Sequence, residues 1–166
     1  MAEKAGRAVE SGAKSGKFLT FELDDEVYGL DILKVKEIIG IMDITSVPQS
    51  PPYMKGVLNL RGKIIPVVDL RLKFGFAERE YTERTCIIVV ELSGAEGKLL
   101  VGIIVDAVSE VTNISDSDVE PTPDFGGSFT VDYIQGMAKI KGKVVILLDI
   151  SRVLSASGLG QMVGAA

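Results

Sequence analysis

The chain repeats itself. The stretch Gly56-Val57-Leu58-Asn59-Leu60-Arg61-Gly62-Lys63-Ile64-Ile65-Pro66-Val67-Val68-Asp69-Leu70 returns as Gly136-Met137-Ala138-Lys139-Ile140-Lys141-Gly142-Lys143-Val144-Val145-Ile146-Leu147-Leu148-Asp149-Ile150, 80 positions later from end to end. Each copy reads as an apolar strand, a basic-Gly-Lys turn, a returning aliphatic strand and an Asp that starts a short helix. A shorter echo precedes each copy. Gly29, Val35 and Glu37 of Gly29–Ile38 meet Gly102, Val108 and Glu110 of Gly102–Val111 at one offset. The order is therefore A–B–A′–B′. Two copies are too few for a solenoid, and a unit of about 60 residues is marginal by itself. The pattern predicts a mainly β protein of two small five-stranded barrels packed on each other.

Read in order, Met1 to Gly16 is small, charged and aperiodic, and is expected to be disordered. Lys17–Leu23 and Val27–Leu30 form a hairpin around Asp24-Asp25-Glu26. Ile32, Val35 and Ile38 suit a short helical turn that runs into a strand, and Ile44–Pro48 is a short extended piece. Ser50-Pro51-Pro52-Tyr53-Met54-Lys55-Gly56 carries a helix signature: Ser cap, early Pro, terminal Gly. Asp69 caps a helix over Leu70–Phe74, and Ala77–Arg84 is a polar connector between the halves. Thr85–Leu92, Lys98–Val105 and Val108–Ile114 are strands, Asp116–Val131 is an irregular loop, and Asp149 caps Ile150–Leu154. Leu159 onward is expected to fray.

Net charge is −5, against the basic face that nucleic-acid affinity requires. No apolar run reaches the ~20 residues of a membrane helix, and the N-terminus lacks the apolar core of a leader. A soluble intracellular protein is expected. There is no His, which removes the commonest general base and metal ligand, and one Cys, which removes an internal disulfide. Cys86 lies in an apolar strand and is expected to be buried and inert.

Several side chains invite chemistry. Asp69 and Asp149 are repeat-related acids, as in a carboxylate dyad of hydrolases, but each stands where a helix needs a cap and neither is followed by a Thr-Gly or Ser-Gly turn. Glu37 with Arg61, and Glu110 with Lys141, are repeat-matched opposite charges; Arg at 61, next to Gly62, suits a charged pair at a partner surface. The spacing of Ile32, Val35 and Ile38 fits a core stripe, yet flanking charges also fit an apolar groove for a partner helix. Lys55, Lys63, Arg71 and Lys73 read as a basic, solvated face. No nucleophile–base pair, metal set or cofactor fingerprint is assembled, so a binder is expected rather than an enzyme.

Tyr28–Ile38 and Lys55–Arg71 resemble the CheW-like family of bacterial chemotaxis coupling proteins. Val101–Val111 and Pro121–Phe125 extend the likeness, which runs roughly from Phe18 to Leu154. Gly56, Asn59, Leu60, Gly62 and Gly102 carry its most specific motifs; the Gly94–Gly97 turn is slightly long. The resemblance implies two intertwined SH3-like barrels within 17–156, the first mainly 17–76 and the second mainly 84–142, with 143–156 packing back and tails at 1–16 and 157–166. It implies a non-catalytic, cytoplasmic adaptor without cofactor, recruited to membrane-bound receptor arrays. Its partners would be the histidine kinase CheA, through the kinase's regulatory domain, and the cytoplasmic helical tip of chemoreceptors; self-association in arrays belongs to the same expectation. Carried over, Ile32, Val35, Ile38, Val108 and Val111 would line the receptor groove, Glu37 and Arg61 would edge it, and Ile44 and Val47 would face the kinase. The competing expectations are a coupling domain of a larger chemotaxis regulator and an Asp69/Asp149 hydrolase.

Overall fold

The computed structural model describes residues 16–94, 97–120 and 133–155. The expected tails and most of the 116–131 loop, with Pro121–Phe125, lie outside the described residues. The elements are β1 (Gly16–Leu23), β2 (Glu26–Asp31), a 3-10 turn (Ile32–Lys34), β3 (Val35–Gly40), β4 (Met54–Leu60), β5 (Lys63–Asp69), α1 (Leu70–Lys73), β6 (Cys86–Gly94), β7 (Gly97–Val105), β8 (Ala107–Ile114), a 3-10 turn (Asp116–Asp118), β9 (Val119–Glu120), β10 (Ile134–Ile140), β11 (Lys143–Leu148) and α2 (Ile150–Ser155). Both basic-Gly turns are two-residue hairpins with both residues at positive φ: Arg61 at 52° and Gly62 at 90°, Lys141 at 53° and Gly142 at 81°. That is the primed turn whose twist matches the flanking strands. The basic residue shares the left-handed conformation with the glycine, which for a non-Gly residue costs about 1–3 kcal/mol. In the first turn Asn59 supports it, since its Oδ1 accepts from the Gly62 amide at 2.7 Å.

Pairing exchanges the halves. One sheet runs β8-β1-β2-β11-β10-β9 and the other β3-β6-β7-β5-β4. The first hairpin, β1–β2, therefore belongs with β8, β10 and β11, while the later hairpin, β6–β7, belongs with β3, β4 and β5. This corrects the expected split into 17–76 and 84–142: the two units are related by the repeat, but each is built from strands of both halves. The joins are parallel and equivalent, β11 on β2 with Leu147 opposite Gly29, and β5 on β7 with Val67 opposite Gly102. Both glycines make room for side chains: a Cβ on Gly29 would lie 3.0 Å from Leu147 Cδ2 across the join, and one on Gly102 2.9 Å from Ile87 Cγ2 of the neighbouring β6. Parallel partners cannot be joined by a tight turn, so β5 reaches β7 by way of α1 and β6, and β2 reaches β11 by way of the other sheet.

Three apolar clusters follow from this exchange. Leu58, Leu60, Ile65, Val67, Ile87, Val89 and Ile104 fill the five-stranded unit. Phe18, Ile114, Ala138, Val145 and Leu147 fill the six-stranded one. The largest cluster lies between them and draws Leu19, Phe21, Tyr28 and Leu30 from one sheet and Val68, Ile88, Val90 and Ile103 from the other, closed by Ile150, Val153 and Leu154 of α2. A stack of rings reinforces it, with Phe74 after α1 set 5.5 Å from Tyr133 and 6.0 Å from Tyr28. Shared burial of this kind binds the two units into one cooperative body.

The helix expected over Ser50–Gly56 is absent. A single turn closes instead, the Met54 amide donating to the Pro51 carbonyl at 2.9 Å, and β4 begins at Met54. Tandem Pro51-Pro52 supplies no amide to continue a helix. Gly56 is not a stop but a bulge inside β4, at φ 143°.

Candidate functional site

The seam between the sheets is edged by related outer strands. β3 closes one sheet and β8 the other, and both carry a bulge one residue after the matched valine: Val35 pairs with Val90 and Glu37 with Val89, while Val108 pairs with Phe21 and Glu110 with Thr20. The 3-10 turn that leads into β3 touches β1 of one sheet and β6 of the other. Ile32, Val35 and Val108 are half-buried and pack on the rim of the shared core. Further along the same strands Ile38 is 43% exposed and Val111 52%, at matching repeat positions. The apolar strip is therefore neither sealed core nor free surface: its inner members rest on the core and its outer members face solvent. Leu33, 85% exposed, stands beside it; the period-three spacing of Ile32, Val35 and Ile38 does not mark a residue between them.

Glu37 and Arg61 meet as expected. Arg61 Nη2 donates to both carboxylate oxygens of Glu37, at 2.8 Å to Oε1. The guanidinium is 71% exposed and Glu37 is more enclosed, so the pair contributes about 0–1 kcal/mol to the fold. The expected second pair does not form: among the described residues Lys141 makes no ion pair, and Glu110 is tied through its backbone to the Thr20 hydroxyl. Ile44 is half-buried against the five-stranded unit's core and Val47 is half-buried, while Ile41 and Met42 beside them are exposed. Of the motif residues, Gly56 passes the Thr45 backbone, Leu60 is core, Gly102 lies at the parallel join, and Asn59 and Gly62 shape the Arg61 turn.

Both repeat-related acids are helix caps. Asp69 Oδ1 accepts from the Arg71 amide at 3.0 Å, and Asp149 Oδ1 from the Ser151 amide at 3.1 Å. Asp69 Oδ2 also accepts from the Tyr81 hydroxyl at 3.2 Å. Burial raises the Asp69 carboxyl against these hydrogen bonds, and burial with the nearby Asp69 charge raises the Tyr81 phenol. The two acids terminate strands of different sheets and each is occupied by its own cap, which removes the dyad reading. The basic face also dissolves: Arg71 is 5% exposed, Lys55 pairs with Glu78 at 3.3 Å, and Lys73 sits 5.1 Å from the Tyr53 ring. Cys86 is half-buried rather than fully buried, its thiol donating to the Arg84 carbonyl at 3.2 Å.

Comparison with known proteins agrees with this geometry. The model of the CheW-like domain matches residues 17–158. A chemotaxis protein CheW of Klebsiella aerogenes is 40% identical over 84% of this chain and 82% of its own length. One of Rhizobium meliloti is 34% identical over 82% and 86%. The crystal structure of the scaffolding protein TtCheW from Thermoanaerobacter tengcongensis superimposes with a TM-score of 0.71 at 38% identity, covering 81% of this chain and 89% of that one. With a family match across nearly all the described residues and relatives of this similarity, the chain belongs to the CheW-like domain family and is a chemotaxis coupling adaptor.

Proposed function

We propose that this adaptor joins the cytoplasmic helical tip of transmembrane chemoreceptors to the regulatory domain of the histidine kinase CheA, and that it catalyses no reaction. The observation that carries the receptor site is the half-open apolar strip on β3 and β8. Ile32, Val35 and Val108 form its floor, Ile38 and Val111 its outer contacts, and Glu37 with Arg61 its charged edge. An amphipathic helix buries apolar anchors in such a strip, while a rim charge selects register and partner. The kinase surface belongs to the stretch around Ile44 and Val47, where the exposed Ile41 and Met42 supply the contact area and the half-buried pair holds the segment in place. No helix among the described residues is long and apolar enough to cross a membrane. The protein acts in the cytoplasm and reaches receptor arrays through these partners.

Coupling follows from binding physics. The adaptor biases the kinase by its different affinity for the kinase's active and inactive conformations, about 1–3 kcal/mol for a typical linkage. Repetition in an array raises the effective concentration of each weak contact. The test is co-sedimentation of the purified protein with a receptor signalling fragment, alone and with the kinase. Arg61→Ala is expected to keep the fold and to weaken retention on receptor or kinase; a folded Arg61→Ala protein that is retained like the parent overturns this site.

A further inference from the structure

The repeat allows each crossover between the sheets to be compared with its twin, and the two are fastened differently. Where β7 passes into β8, Asp106 sits at the bend. Its amide donates to the Glu22 carbonyl of β1 at 3.0 Å. Its Oδ2 accepts from the Asp24 amide at 2.9 Å and from Arg71 Nη1 at 2.9 Å. The Arg71 guanidinium also reaches Asp24 Oδ1 at 3.3 Å and donates through Nε and Nη2 to the Ala77 carbonyl at 3.1 and 2.8 Å. Arg79 lies 3.5 Å from both acids. One buried fork thus ties α1, the β1–β2 turn, the start of β8 and the 77–84 connector. Among the described residues, the twin crossover, where β2 passes into β3, carries no such fork. At the two repeat offsets the positions matching Arg71 and Asp106 are Ser151 and Leu33. The Leu33 amide donates to the side chain two residues before it, Asp31 Oδ1 at 3.0 Å, and the Leu33 side chain stands in solvent.

We infer that Arg71 is a one-sided latch: it immobilises the β8 margin of the inter-sheet seam, whereas the β3 margin is fastened by solvent-exposed ion pairs, Glu37 with Arg61 and Lys36 with Glu91 at 3.9 Å, and can adjust. A local side-chain-to-amide turn fixes two residues relative to each other; this buried, fork-bonded guanidinium fixes four elements. Removing one partner of such a network leaves an uncompensated buried charge, so the latch holds more firmly than a surface pair. If the seam is the docking site proposed above, a bound helix would be accommodated by movement of β3 with Leu33 and Ile38, against a fixed β8. That consequence rests on the proposed function; the latch does not.

Native-state amide hydrogen exchange of the full chain without any partner tests the latch alone. In the parent, β3 amides (Val35–Gly40) are expected to exchange faster than β8 amides (Ala107–Ile114); faster exchange in β8 overturns the inference. In Arg71→Met, β8 amides are expected to accelerate on the order of tenfold to a hundredfold while β3 amides keep the parent's rate. Equal acceleration of both strands means a general loss of stability and overturns the latch, as does no change in β8. Should Arg71→Met not fold, Asp106→Asn carries the same comparison, since it keeps the acceptor for the Asp24 amide and removes only the charge facing Arg71. Receptor binding enters none of these readings, so failure of the latch and failure of the docking site are told apart.

Discussion

Gly56 and Gly136 occupy one position of the repeat, and substituting each by Ala separates what the repeat shares from what the fold imposes. At Gly56 the backbone stands at φ 143°, and a Cβ would lie 2.0 Å from the Thr45 carbonyl oxygen. That oxygen accepts from the Val57 amide at 2.9 Å, and the Thr45 amide donates back to the Val57 carbonyl at 2.8 Å. Ala cannot keep both conformation and contact. Strain of about 1–3 kcal/mol adds to two backbone hydrogen bonds of about 0.5–1.5 kcal/mol each, and a stiffer unfolded chain returns about 0.4–1 kcal/mol. The expected loss is about 2–5 kcal/mol, a large part of the 5–15 kcal/mol typical of a domain. At Gly136 φ is ordinary and the Cβ would meet a side-chain methyl, Val119 Cγ1, at 2.9 Å, with the Glu120 carbonyl oxygen at 3.2 Å. A methyl at the end of a short edge strand gives way, so the expected loss is about 0–2 kcal/mol. Urea unfolding followed by circular dichroism, at unchanged slope, measures both. Equal losses, or a larger loss at Gly136, refute the reasoning.

Asp69→Asn tests the buried cap. Because burial raises the folded carboxyl above its unfolded value, the folded chain holds the extra proton in that window, and the stability Asp69 contributes at low pH is lost as pH rises through the raised value. The stability of Asp69→Asn relative to the parent should therefore shift in the variant's favour from acid to neutral pH; a shift toward the parent contradicts the assignment. Ile38→Asp and Val111→Asp, at exposed positions, should leave the unfolding free energy within about 0.5 kcal/mol of the parent while reducing co-sedimentation with the receptor fragment. Loss of folding with either, or full retention on the fragment with both, counts against the strip as the docking surface.

The amino-acid sequence determined the local devices. Arg61-Gly62 and Lys141-Gly142 had to turn, and Asp69 and Asp149 had to cap, because these depend on residues within one or two positions of each other. The Glu37–Arg61 pair was legible from matched charges, and the CheW-like motif from residues within two short stretches. What tertiary structure alone decided is non-local. The repeat fixes two equal units but not which strands fill each; the parallel joins at Gly29 and Gly102 exchange the halves, and no turn signal encodes that. Spacing left Ile32, Val35 and Ile38 undecided because exposure depends on which sheet edge β3 occupies. Arg71 read as one of four surface cations, and became the buried latch only when folding brought to it Asp24 from earlier in the chain and Asp106 from 35 residues later. A charge finds its partner through contacts distant in sequence, so short-range pattern names the residue while only the packed chain assigns its role.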